Sequence, residues 1–135
     1  MKEMLKIMFS SKSIDWKTPP EILNQLDKEF HFTLDVCPSN PTKDMLKESW
    51  KDNICYMNPP YGREITKWIE KAWIEKIANR VTTVALLPAR TDTNWFWTYC
   101  IKEEIRLIRG RIRFLNGDND EMPAPFPSMV VIFRP

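Results

Sequence analysis

The residues Asn58-Pro59-Pro60-Tyr61 bring together groups that suit one kind of chemistry. Two adjacent prolines lack N–H groups, and Pro60 biases Pro59 towards an extended conformation, so neither helix nor strand continues through them. The Pro59 carbonyl is left for other partners, beside a carboxamide that accepts hydrogen bonds and an aromatic ring that stacks. Two fixed acceptors and one flat face match a planar ring carrying an exocyclic –NH₂. The lone pair of an aryl amine is delocalised into its ring and is a poor nucleophile. Acceptors on both N–H bonds would localise that lone pair and stabilise the charge that develops as the nitrogen is methylated. Asn58 is neutral and reads as an acceptor, not a strong base. Tyr61 would hold the ring, which inside a duplex must first be flipped out of the stack. The bland alternative is a turn after a strand, with Tyr61 in the core.

Several elements must position this turn. Ile54 to Met57 is a short apolar run that ends at Asn58, and from Glu64 to Asn79 apolar residues recur at helical spacing. Ile65, Trp68, Ile69, Ala72, Trp73 and Ile77 form the expected core face of that helix, with Lys and Glu on the other. Val81 to Leu87 predicts a buried central strand, and Asp92 is the expected cap of a short aromatic helix carrying Trp95, Phe96 and Trp97. Thr18-Pro19-Pro20-Glu21 predicts a helix start, with Thr18 capping and Glu21 completing a capping box. Its free N–H groups could bind a carboxylate; a capped surface helix without a ligand is the alternative.

Phe32, Leu34 and Val36 alternate with polar residues, which predicts a half-buried strand stopped by Pro38. Asp35 then lies near its carboxyl end, where open α/β sheets bind their ligands. Only about twenty residues separate it from Asn58, enough for at most one short helix. Asp52, in that interval, is either an acceptor for the adenine amine of a cofactor or a solvated loop carboxylate.

Towards the carboxyl end, Ile105 to Ile108 reads as a strand and Arg109-Gly110 allows a bend. In Arg111-Ile112-Arg113-Phe114 the arginines alternate with apolar residues and share one face. Residues Leu115 to Pro127 read as a loop without period, and Ser128 to Phe133 as a last strand, antiparallel to its neighbour. Alternating strands and helices argue for a mainly parallel sheet with helices on its faces. Arg111 and Arg113, with Arg63 and Arg90, are the candidates for a phosphate-contacting surface; a merely solvated face is the alternative.

At 135 residues the chain is expected to form one domain, residues 1–135, with 1–12 a flexible or loosely packed segment. No 18-residue apolar run exists, which argues against a membrane span. Three cysteines without metal-site spacing suggest reduced thiols of the cytoplasm, and one histidine argues against a His-based metal site or triad. Net charge is only +2, so a nucleic-acid surface must come from local asymmetry.

The chain resembles the small phage-type, Dam-like DNA N6-adenine methyltransferases. The resemblance runs from Trp16-Lys-Thr-Pro-Pro through Leu34-Asp-Val-Cys, Asn58-Pro-Pro-Tyr and Leu86-Leu-Pro to Arg109-Gly-Arg-Ile-Arg-Phe. The tetrapeptide is specific; the other stretches are weak alone but occur in the family's order. The resemblance implies an α/β, Rossmann-like fold using S-adenosylmethionine, with a mostly parallel sheet, antiparallel carboxyl-terminal strands and a shortened stretch between first strand and catalytic motif. It implies adenine in duplex DNA as substrate, in the cytoplasm of a bacterial host, encoded by phage or prophage. Catalysis would fall to Asn58, Pro59, Pro60 and Tyr61. Trp16, Thr18 and Pro19 would lie against the methionine end of the cofactor. Asp35, Cys37 and Ser39 would form the loop after the first strand, which departs from the family in lacking glycine. No metal is implied. A homodimer is one way for so small a chain to cover duplex DNA.

By itself the tetrapeptide leaves cytosine N4, adenine in RNA and a protein glutamine amide open as acceptors. A rival of another class is a catalytically dead DNA-binding or anti-restriction module, favoured by the missing glycine loop.

Overall fold

The computed structural model describes residues 17–115 and 121–135. Trp16 and the expected loose segment 1–12 lie outside the described residues.

A five-stranded sheet carries the molecule, in the order β1-β2-β3-β7-β4. Strands β1 (Leu34–Asp35), β2 (Ile54–Met57) and β3 (Thr82–Pro88) run parallel, Leu34 facing Cys55 and Tyr56 facing Val84. Strand β7 (Ser128–Phe133) inserts antiparallel between β3 and β4 (Glu104–Leu107). Every residue of β7 is buried, because helices or a hairpin cover both sheet faces and strands flank both edges. The mainly parallel sheet and its antiparallel last strand are thus as the pattern implied.

Helix α1 (Pro20–Phe30) and the hairpin of β5 (Arg113–Leu115) with β6 (Glu121–Pro123) cover one face. There Leu26, Phe30, Phe114 and Phe126 pack on Tyr56, Val84, Leu86, Val130 and Ile132. Helix α2 (Ile65–Asn79), a π-helical turn (Phe96–Cys100) and the Trp50 segment cover the other, around Met57, Ile69, Leu87 and Val131. Alternation along each strand sends successive side chains to opposite layers.

Four expectations need correction. Thr18 does not cap α1: Pro19 occupies that position without a side-chain cap, and its carbonyl accepts from Ile22 and Leu23. The stretch Leu115 to Pro127 is not all loop, since β6 pairs with β5; three residues are too few for a visible alternation. Thr93, not Asp92, starts the aromatic helix, its Oγ1 accepting the Phe96 N–H at 3.4 Å. On α2, Trp73 and Ile77 turn outward, 37% and 60% exposed, whereas Glu75 is buried at 3%. The arc facing the sheet is narrower than the apolar stripe, and it includes a carboxylate.

Candidate active site

Strand β2 delivers Asn58 to the carboxyl edge of the sheet, and the double proline ends the ladder there. Gly62 (φ 114°) turns the chain from Tyr61 towards α2, a conformation open to glycine at little cost. The side chains of this turn are tied to elements distant in sequence. The Asn58 Nδ2 donates to Thr18 Oγ1 at 3.2 Å, and the Thr18 hydroxyl lies 2.5 Å from that of Tyr56. The Tyr61 hydroxyl donates to Asn58 Oδ1 at 3.0 Å and lies 3.3 Å from the Leu86 carbonyl on β3. One polar chain therefore joins the start of α1, β2, the turn and β3.

Burial pushes the Tyr61 and Tyr56 hydroxyls well above the usual phenol range, the Thr18 hydrogen bond partly opposing the shift at Tyr56. Both stay protonated, and the Tyr61 hydroxyl keeps the proton it donates to Asn58. The Tyr61 ring meets Phe114 and Phe126 edge-on, with centroids 6.3 and 5.3 Å away. It is half-buried, wedged between the two cores.

A cleft of about 750 Å³ opens beside this turn, at the carboxyl ends of β1 and β2. Asn58, Pro59 and Pro60 form one wall, Thr18 and Lys17 a second, and Asp35, Cys37 and Ser39 a third. The connection from Pro41 to Met45 and the Trp68 ring complete it. Its size is that of pockets holding drug-sized ligands, and its apolar walls are interrupted by many polar side chains, among them Lys17, Asp35, Lys43 and Asp44. An adenosyl group with an amino-acid tail fits that volume and lining.

Asp35 stays open to water, and its Oδ1 accepts the Cys37 N–H at 3.0 Å. The concave walls nevertheless desolvate its carboxyl and raise it above the ordinary carboxylate value, more than the Cys37 bond lowers it. Burial, helped by the nearby Asp35 charge, raises the Cys37 thiol far above its usual range. Cys37 therefore stays a thiol and contributes wall, not a nucleophile. Among the described residues no cluster of His, Cys, Asp and Glu could hold a metal ion.

The sequence-derived candidates divide. Thr18, Asp35, Cys37, Ser39, Asn58, Pro59 and Pro60 meet at the cleft. Pro19 is buried behind it, and Trp16 lies outside the described residues. Asp52 does not join them. It precedes the amino end of β2, the opposite edge of the sheet from Asn58, in a left-handed turn (φ 67°). The helix start offers little to a carboxylate, because Pro19 and Pro20 have no N–H and Pro19 O takes those of Ile22 and Leu23.

All four candidate arginines are exposed, and Arg90 contacts the aromatic cluster around Tyr61. Arg63 is exposed just past Gly62, and the Arg90 guanidinium sits 5.8 Å over the Phe126 ring. Arg111 and Arg113 are exposed on either side of buried Ile112, next to Phe114.

Sequence reasoning missed Tyr56, the Leu86 carbonyl and Lys17. Tyr56 had a signal: in a strand, residues two apart share a face, so Tyr56 and Asn58 point the same way. Lys17 and Leu86 had none, since a backbone carbonyl and a lysine before a helix are commonplace.

The chain is 28% identical over 137 residues to the DNA N-6-adenine-methyltransferase of Haemophilus phage HP1 (strain HP1c1), the match covering 89% of this chain and 78% of that protein. The model of the DNA N-6-adenine-methyltransferase (Dam) family matches residues 8–135. With that match covering nearly its whole length, the chain belongs to the DNA N-6-adenine-methyltransferase (Dam) family.

Proposed function

We propose that the chain transfers a methyl group from S-adenosylmethionine to the N6 amine of adenine in DNA. The observation that carries this reading is the convergence of Asn58, Pro59 and Pro60 on the same cleft as Thr18, Asp35 and Ser39. The family and the phage relative's name supply adenine in DNA as acceptor. The sheet order supports a Rossmann-like methyltransferase, trimmed where residues 36–53 cross directly from β1 to β2 without helix or strand.

Bound in the cleft, the cofactor supplies an electrophilic methyl on its sulfonium. Asp35 offers a negative group to the cofactor's ammonium or hydroxyls, and Lys17 and Lys43 offer positive charge to its carboxylate. Asn58 Oδ1 and the Pro59 carbonyl accept the two N6 protons and hold the nitrogen lone pair towards the methyl. A carboxamide oxygen has two lone pairs, so Asn58 Oδ1 can accept from Tyr61 and from the amine together. The open part of the Tyr61 ring stacks on the flipped base. The excess proton of the methylated amine leaves to water. Holding sulfonium and amine at near-attack distance supplies much of the rate.

The exposed Arg63, Arg90, Arg111 and Arg113 contact phosphates around the flipped base. A second copy would extend that surface along the duplex. The phage origin of the relative supports a phage- or prophage-encoded enzyme in the bacterial cytoplasm. Among the described residues no helix is long and apolar enough to cross a membrane.

The test is incubation with S-adenosylmethionine labelled in its methyl group and duplex DNA, followed by digestion to nucleosides. Label in N6-methyldeoxyadenosine supports the reading. Cofactor binding by calorimetry without any label in DNA would overturn it.

A further inference from the structure

The connection from Val36 to Asn53 forms a wall of the cleft yet contains neither helix nor strand. Something other than a ladder must hold it. Trp50, fully buried, is its plug into the core, and the indole Nε1 donates back to the Met45 carbonyl at 2.9 Å. The Trp50 backbone N–H donates to Glu75 Oε1 at 2.6 Å.

Glu75 is out of place on composition alone. The other buried residues of α2 are Ile65, Ile69 and Ala72. A carboxylate taken from water must be paired and hydrogen-bonded, and here it is. Lys71 Nζ lies 3.1 Å from Oε2, and Asn79 Nδ2 donates at 3.2 Å to both oxygens. The Lys71 ammonium also sits 5.4 Å from the centre of the Trp50 ring. Lys71, Glu75 and Asn79 stand four apart, so they form one row along the helix. All three serve one loop residue.

We infer that this row is a clamp, and that Glu75 is a positioning residue for the cleft. It acts through Trp50 on Met45 and the adjoining wall, setting how tightly the cofactor is held. It does not touch the turn at Asn58. The claim that the cleft's ligand is S-adenosylmethionine rests on the proposed function; the clamp itself does not.

The experiment compares Glu75→Leu and Glu75→Gln with the wild-type chain. Limited trypsin cleavage after Lys43 and Lys47 reports the wall without any ligand, and calorimetry reports S-adenosylmethionine affinity. Loss of a hydrogen bond to a charged group corresponds to about tenfold or more. Glu75→Leu is therefore expected to be cut about tenfold faster and to bind cofactor about tenfold more weakly, with kcat at saturating cofactor little changed. Glu75→Gln keeps an acceptor for the Trp50 N–H and restores most of both. If Glu75→Leu does not fold, Trp50→Phe removes the Met45 bond while keeping an aromatic plug, and the same two measurements apply.

Cleavage and affinity at wild-type values in a folded variant overturn the clamp. So does a loss of kcat in proportion to the folded fraction with affinity unchanged. A wild-type chain that binds no S-adenosylmethionine overturns the proposed function instead, and the trypsin comparison then decides the clamp alone.

Discussion

The Asn58 carboxamide nitrogen donates to the Thr18 hydroxyl oxygen at 3.2 Å, across forty residues of sequence. The residue expected to cap a helix is instead bonded to the residue expected to do the chemistry. Its other partner is Tyr56, so three side chains from two elements share one hydroxyl. Thr18→Val keeps the shape and removes this junction. We predict a loss of about 1–3 kcal/mol of stability from the polar groups left unpaired. A several-fold lower single-turnover rate should accompany it, with cofactor affinity much less affected. Denaturant melts and single-turnover assays check the two effects separately.

Asn58→Ala removes one acceptor for the amine. Loss of one preorganised hydrogen-bonding group lowers rates by roughly 10²–10³. Cofactor affinity should change little. A mutant with a wild-type single-turnover rate would remove Asn58 from the chemistry.

Tyr61 has both a ring and a hydroxyl at work. A stacking role alone would leave Tyr61→Phe active, but the hydroxyl donates to Asn58 Oδ1 and lies near the Leu86 carbonyl. Removing it should cost about 1 kcal/mol of positioning, roughly fivefold in rate. Tyr61→Ala should lose far more, since Phe114 and Phe126 also lose their edge contacts. Steady-state rates of the two mutants on one duplex separate ring from hydroxyl.

Asp35 supports a prediction about pH. Desolvation raises its carboxyl in the folded chain above the ordinary 3.8. A raised acid pKa means the folded state resists ionisation, so the penalty is absent below the ordinary value and complete above the raised one. Asp35→Asn should therefore raise Tm at neutral pH, with the gain fading as pH falls through the carboxylate range. Its amide oxygen still accepts the Cys37 N–H, while cofactor affinity should drop. A Tm difference that grows towards acid would contradict this account.

Arg111 and Arg113 are exposed beside the cluster that carries Tyr61. If both meet phosphates, replacing both with Gln should make the slope of log K against log salt shallower by up to about two, similarly on all sequences. Filter binding across a salt series measures it, with an unchanged Tm as control. An unaltered slope in the folded double mutant would move the DNA surface to Arg63 and Arg90.

Local chemistry settled much of this protein in the sequence alone. Two prolines after an apolar run must end a strand, and they leave Asn58 and a carbonyl at its carboxyl edge whatever surrounds them. Apolar runs made Thr82–Pro88 and Ser128–Phe133 readable as buried strands. Alternation made Arg111 and Arg113 readable as exposed residues flanking a buried Ile112, although the strand itself begins only at Arg113. What periodicity could not tell is which part of an apolar stripe meets the sheet. Trp73 and Ile77 looked like core, Glu75 like surface, and packing reversed them. The partners of polar side chains were equally hidden. Thr18 had a good local partner in the helix N–H groups, but two prolines removed or occupied those, and Asn58 and Tyr56 came within reach only once α1 lay on β2. Asp52 sits close to the cleft residues in sequence, yet β2 carries it to the wrong edge. Spacing along a chain names the groups available; only the folded path of the backbone decides which of them meet.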